Sequence, residues 1–210
     1  MATKSNRLNI RAFLLPASLV LIGLLLGLLI CKLVVSNTPK SNSAEAGFAR
    51  DMVTHHRQAV EMALIIRTKS VSDDVSTLAY DIANTQGTQG GMLIGWLQQW
   101  KLPQTTSDAP MSWMNMSHGS MDHGSDKSTT TMPGMATDEE LTALRNAEGV
   151  DAEKQFLRLM IKHHEGGVTM ANGILALTKQ PDVRSLAQTI VSGQQAEIDL
   201  MNSLLKRLEG

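Results

Sequence analysis

One helical unit is written twice in this chain, and that duplication constrains its fold more than any other feature. The first copy reads Phe48-x3-Met52-x2-His55-His56-x3-Val60-x-Met62-Ala63, and the second Phe156-x3-Met160-x2-His163-His164-x3-Val168-x-Met170-Ala171. Every pair is offset by the same 108 residues, as from 55 to 163. The register continues without a gap through Asp74/Asp182, Leu78/Leu186, Ala79/Ala187, Ile82/Ile190, Gln86/Gln194 and Leu97/Leu205. A match of this length means two copies of one supersecondary unit.

Apolar positions recur at alternating spacings of three and four through each copy, as on the buried face of a helix. They predict helices over about 47–69, 72–101, 151–178 and 181–208. Ser72-Asp73-Asp74 and Pro181-Asp182 carry the start signals of the second and fourth helices. Short loops make the members of each pair antiparallel neighbours, so the sequence predicts an all-α four-helix bundle made of two repeated hairpins. The connection from Leu102 to Val150 is long enough to cross the bundle, and most of it is expected to be mobile. Within it, Thr137-Asp-Glu-Glu140 reads as a capping box opening a short helix at 138–147.

Ahead of the repeats, a basic segment (residues 1–12, with Lys4, Arg7 and Arg11) precedes an apolar run. Residues 13–30 would span about 27 Å as a helix, near the thickness of a bilayer's hydrocarbon core. The basic flank favours a cytoplasmic N-terminus, a single-pass anchor at 13–35, a linker at 36–46 and an exported domain at 47–208. A cleaved signal peptide, giving a secreted or periplasmic protein, is the competing reading. Cys31, the single cysteine, falls in this run, so the exported part has neither a disulfide nor a thiolate ligand.

The net charge of −1 and an aromatic content of 3% leave no basic patch or stacking platform for nucleic acid. Methionine is abundant at 13 copies, and its thioether is both a core filler and a soft metal donor. The paired histidines therefore carry the chemistry. His55 and His163 lie on the apolar seams, while His56 and His164 are turned by about 100° toward the flanks. Folding each hairpin about its turn brings His55 level with Gln86 and Met52 level with Gln89; likewise His163 with Gln194 and Met160 with Glu197. Buried polar groups must be paired or bound.

Two readings follow. In the first, His55, His56, His163 and His164 with Met52, Met62, Met160 and Met170 hold a soft metal ion, copper above all. Gln86, Gln89, Gln194 and Glu197 then orient the imidazoles. Met111, Met114, Met116, His118, Met121 and His123 of the crossover form a capture segment. In the second, methionines and histidines only build a core with a satisfied polar layer, and the molecule is a structural or interaction module. A small-residue stripe (Ala79, Ala83, Gly87, Gly91, Gly95) marks either a close helix contact or a frayed helix. No Glu-x-x-His or His-Glu-x-x-His occurs, so di-iron and zinc-hydrolase chemistry find no motif; redox chemistry on a bound copper is the weaker third reading, and no catalytic residue is assigned.

Several motifs occur together and in order: His55-His56-x2-Ala59-x2-Met62-Ala63, Trp96-Leu97-x2-Trp100, Met111-x-Trp113-Met114, Met132-Pro133-Gly134-Met135 and His163-His164-x5-Met170-Ala171. In this the chain resembles the domain of unknown function 305 (DUF305) family. Gly167 replaces the usual alanine of the second unit, and Lys101 stands where glycine commonly precedes the Leu-Pro step. The resemblance covers about residues 46–208 and implies an exported, ferritin-like helical bundle of bacterial type. It also implies an association with copper. A second copy of the chain or a copper-handling protein is the expected partner of such a function.

Overall fold

The computed structural model describes residues 19–30, 38–69, 71–117 and 132–210, without the side chains of 115–117. Six α-helices and one 3-10 helix account for the regular structure, and no strand occurs among the described residues. Residues 1–38 and 39–210 are separate compact units.

In the first unit the described residues form helix α1 (19–30), whose apolar side chains are more than half exposed. The rest of the expected anchor, with Cys31, lies outside the described residues. Among those described, no helix is long and apolar enough to cross a membrane.

The second unit contains α2 (Ala44–Arg67), α3 (Asp73–Gln99), the 3-10 helix η1 (Ser112–Ser117), α4 (Asp138–Asn146), α5 (Gly149–Leu177) and α6 (Pro181–Glu209). Helices α2 and α3 form one hairpin, α5 and α6 the other, and the two meet chiefly through α2 and α5. Expected and observed ends differ by a few residues, because helix termini follow caps rather than the apolar seam. The Ser43 hydroxyl accepts from the Ala46 amide and opens α2 three residues early. The Thr137–Glu140 capping box is present, and Pro181 stands in the first turn of α6.

Two carboxylates tie the hairpins together in equivalent ways. Glu153 at the start of α5 accepts the Ser72 amide at the start of α3. Its repeat counterpart Glu45, at the start of α2, accepts the Thr178 hydroxyl in the α5–α6 turn at 2.7 Å. Ser72 thus caps α3 with no side-chain bond of its own; the orphan amide there is satisfied from the other repeat.

The core is divided. One apolar cluster gathers Met62, Ile66, Val75, Ile82, Phe156, Met160 and Met201. The other gathers Phe48, Met52, Leu93, Trp113, Met170, Ala187 and Ile190. Along α2 the order is second cluster then first; along α5 it is first then second, so the two helices run antiparallel. On all four long helices, the buried side chains between the clusters are polar.

The glycine stripe behaves differently from both expectations. Helix α3 is continuous through it, so it is not frayed. Yet Gly87, Gly91 and Gly95 have open space where a Cβ would stand, so no described helix or crossover residue packs there.

Candidate metal centre

The polar layer between the two apolar clusters consists of His55, His56, Gln86, Gln89, His163, His164, Gln194 and Glu197. All but Glu197 are buried, and the four histidines are at most 1% exposed. The imidazoles of His55 and His163 face each other across the repeats with ring centroids 3.8 Å apart and planes tilted by 33°. His56 and His164 stand 6.5 and 6.3 Å from their sequence neighbours, toward the second helix of each hairpin.

Their partners are not those expected from levels along the helices. His56 Nε2–H donates to Gln89 Oε1 at 2.8 Å, and His164 Nε2–H donates to Glu197 Oε2 at 2.8 Å. The expected His55–Gln86 and His163–Gln194 pairings are absent; both amides are buried and have no hydrogen-bond partner. The physical reason is side-chain direction. Each helical side chain leans toward its own N-terminus, so in an antiparallel pair the tips meet offset from the Cα level. That lean carries His56 to Gln89, beyond the residue at its own level, and leaves Gln86 unpartnered.

His55 is held by a group that sequence spacing does not reveal. Its Nε2–H donates to the carbonyl of Pro133, at 3.0 Å, in the Met132-Pro133-Gly134-Met135 turn. That turn is seated closely on both repeats. The Gln58 amide donates to the Ala136 carbonyl at 2.9 Å and accepts its N–H at 2.7 Å. At the equivalent position of the second repeat, Gly166 leaves the room that the Pro133 carbonyl occupies; a Cβ there would lie 2.0 Å from that oxygen. Gly134 has φ +75°, and a Cβ on it would meet the Lys162 carbonyl. The turn therefore closes the histidine layer on the α2–α5 side. On the opposite side, a groove of about 630 Å³ between α3 and α6 has Gln89, the partner of His56, in its wall.

The layer is electrically neutral at its centre. Burial pushes His55 from 6.5 down to about 4, against the Pro133 hydrogen bond, and His56 down to about 3, with His55 adding to the shift. His163 is lowered well below the ordinary value, first by burial and then by the other histidines. Nε2–H donation leaves Nδ1 of His55 and His56 as an unpartnered lone pair; Nδ1 of His164 and both nitrogens of His163 likewise make no full hydrogen bond. Buried nitrogens normally find partners. Those left over on His55, His56 and His163 belong to neutral imidazoles.

The methionines are placed less simply. Met52, Met62, Met160 and Met170 are all fully buried. They divide between the clusters, Met52 with Met170 on one side of the histidine layer and Met62 with Met160 on the other. The crossover is more ordered than expected where it is described, since Met111, Met114 and Met132 pack against the Phe48–Trp113 cluster. Asp51 organises that seat: one oxygen accepts the Met111 amide at 2.7 Å and the Trp113 indole N–H at 2.8 Å. Trp113 lies edge-on to Phe48 and fills the space beside Gly47. Nothing in the sequence pattern singled out Asp51, Gln58 or Gly166. The side chain of Met116, with His118, Met121 and His123, lies outside the described residues.

The match to the DUF305 domain family (domain of unknown function) runs over residues 45–205. The chain belongs to the DUF305 family. A DUF305 protein of Streptomyces coelicolor, named as a candidate secreted protein, is similar at 45% identity and a TM-score of 0.73, covering 81% of this chain and 97% of that one. The Cu(I)-bound form of CopM is similar at 25% identity and a TM-score of 0.60, covering 80% of this chain and 99% of that one. Uncharacterized protein L153 of Acanthamoeba polyphaga mimivirus is 43% identical over 63 residues, 30% of this chain. The match spans about two fifths (41%) of that curated relative's length.

Among the described residues, no three His, Cys, Asp or Glu side chains converge as a metal-binding group. The donors available in and beside the layer are imidazole nitrogens, carboxamides and thioethers. That set suits a soft ion of low coordination number and offers little to hard cations, which need clustered oxygens.

Proposed function

We propose that this DUF305 protein binds copper, as Cu(I), outside the cytoplasm for storage, delivery or tolerance. One observation carries the reading: a buried layer of four histidines, neutral where burial has lowered them, each with at least one ring nitrogen that makes no full hydrogen bond, between two methionine-bearing clusters. Unpaired buried nitrogens cost on the order of 1–3 kcal/mol each, and a bound ion offsets that. Similarity to CopM, solved in Cu(I)-, Cu(II)- and Ag-bound forms, supports copper, and the thioether and imidazole donors here favour its Cu(I) state. His55 and His163 are the central donors, His56 and His164 the lateral ones, with Met52, Met62, Met160 and Met170 as thioethers. Gln86, Gln89, Gln194 and Glu197 orient the rings, and the crossover from Met111 to Met135 collects the ion. The two hairpins build a ferritin-like four-helix bundle, and the apolar segment around α1 anchors it to the membrane with the bundle exported.

The test is anaerobic Cu(I) competition titration of the full chain, beside a His55→Ala/His163→Ala variant and a variant with Met111 and Met114 changed to Leu. Tight binding that the histidine variant loses supports the reading. Binding no tighter than that of free amino acids overturns the function, and undiminished affinity in both variants overturns the site.

A further inference from the structure

The two repeats are equivalent in sequence register but not in their histidine environments. In the first, His55 has one nitrogen committed to the Pro133 carbonyl. In the second, neither nitrogen of His163 makes a full hydrogen bond, and only the neighbouring His55 backbone interacts weakly with the ring. One turn beyond each histidine the difference deepens. Ala59, a fully buried methyl, follows His55; Gly167 follows His163. A Cβ at Gly167 would lie 2.3 Å from Gln194 Oε1 and 3.0 Å from Nε2, so the absent methyl is what admits that amide. Both amide atoms of Gln194 are buried and unpartnered, as are those of its counterpart Gln86, so the repeats differ in the glycine beside the amide and not in the amide itself. Glycine inside a helix is unfavourable relative to alanine, and the gap it leaves holds a polar group that no other side chain satisfies.

We propose that the halves are functionally unequal: a single soft ion is held on the second-repeat side, with His163 as imidazole donor and the Gln194 amide as its positioning group, admitted by Gly167. The first repeat is the scaffold, its His55 fixed by the crossover turn. This rests on the copper-binding reading above. It makes Gly167 a residue that sets the site while touching no ligand itself.

The conflict at Gly167 involves the far end of a flexible side chain, so Gly167→Ala is expected to fold, with the amide turned out. The experiment follows the imidazole nitrogens of the full-length protein by 15N NMR during anaerobic Cu(I) addition, with affinity read in parallel. In wild type the first equivalent shifts the His163 nitrogens and leaves the His55 Nε2–H in place. Gly167→Ala weakens Cu(I) binding tenfold or more while its metal-free melting temperature is unchanged or higher; Gln194→Ala weakens it similarly, and Ala59→Gly does not change it. His163→Ala loses at least ten times more affinity than His55→Ala. Equal losses from the two histidines, or a Gly167→Ala protein of wild-type affinity, would overturn the inequality while leaving copper binding intact. A wild type that binds no Cu(I) removes both readings.

Discussion

The imidazole of His55 lies 3.8 Å, centroid to centroid, from that of His163, yet of the two only His55 makes a full hydrogen bond, to the crossover. Two residues of identical type, duplicated in register and in mutual contact, are therefore expected to respond oppositely to the same substitution. His163→Leu removes two unpartnered nitrogens from the core and is expected to stabilise the metal-free fold by about 1–2 kcal/mol. His55→Leu strands the Pro133 carbonyl and is expected to destabilise by about 1–3 kcal/mol. Urea unfolding at pH 7.5 measures both; a change of the same sign in each would contradict the hydrogen-bond assignment.

Stability is also expected to fall with acid in a defined window. Unfolded, these histidines titrate near 6.5; folded, His55 titrates at about 4 and His56 at about 3. Above 6.5 both states are neutral and the histidines contribute no pH dependence. Below it, the unfolded chain takes up protons that the folded layer refuses, so stability drops until the pH passes about 4 and then about 3. Each such histidine contributes a slope of roughly 1.4 kcal/mol per pH unit within that window. Urea midpoints recorded between pH 7.5 and 4.5 test this, and a flat profile would show that the layer is hydrated or charged.

The glycines separate by what stands beside them. Gly166→Ala forces a methyl against the Pro133 carbonyl, a backbone atom that cannot rotate away, and is expected to cost about 2–4 kcal/mol by unseating the turn. Gly95→Ala, with open space around it, should instead stabilise α3 by about 1 kcal/mol. Limited proteolysis at 132–136 reports the first effect independently of global stability, because an unseated turn loses its contacts with Gln58 and His55.

Lys101 closes α3 in the left-handed region at φ 58°, where its N–H bonds to Gln98 and that of Leu102 to Leu97. This is the position at which glycine is the commoner family residue. Lys101→Gly is expected to add about 0.5–1 kcal/mol, since the helix-ending conformation then meets no Cβ penalty. A lower thermal midpoint in the variant would show that the lysine side chain contributes something its backbone does not.

The helices and their pairing could be read from the sequence because the 108-residue register repeats the same apolar spacing twice, and spacing of that kind has one physical meaning. The capping box at Thr137 was legible for a similar reason, being a local pattern with a local cause. Partners within the site were less so. The pairing of His56 with Gln89 depends on how side chains lean, which levels along an axis ignore. Pro133 was hidden altogether, because it acts through a backbone carbonyl whose identity any residue could supply. Met111 and Met114 looked solvated from their polar surroundings, whereas Asp51 and Phe48, sixty or more residues earlier, give them a seat.

The reciprocal carboxylates have a consequence for how such a molecule comes into being. Glu45 closes the turn of the later hairpin and Glu153 starts the second helix of the earlier one, so each half lacks a part that the other carries. A lone hairpin has an incomplete set of end groups and one bare histidine face. It becomes whole only by meeting its twin, which a second free chain could supply as well as a tethered one. In that sense the protein is a two-fold dimer whose subunits have been written into one gene, and the long crossover is the seam left by joining them.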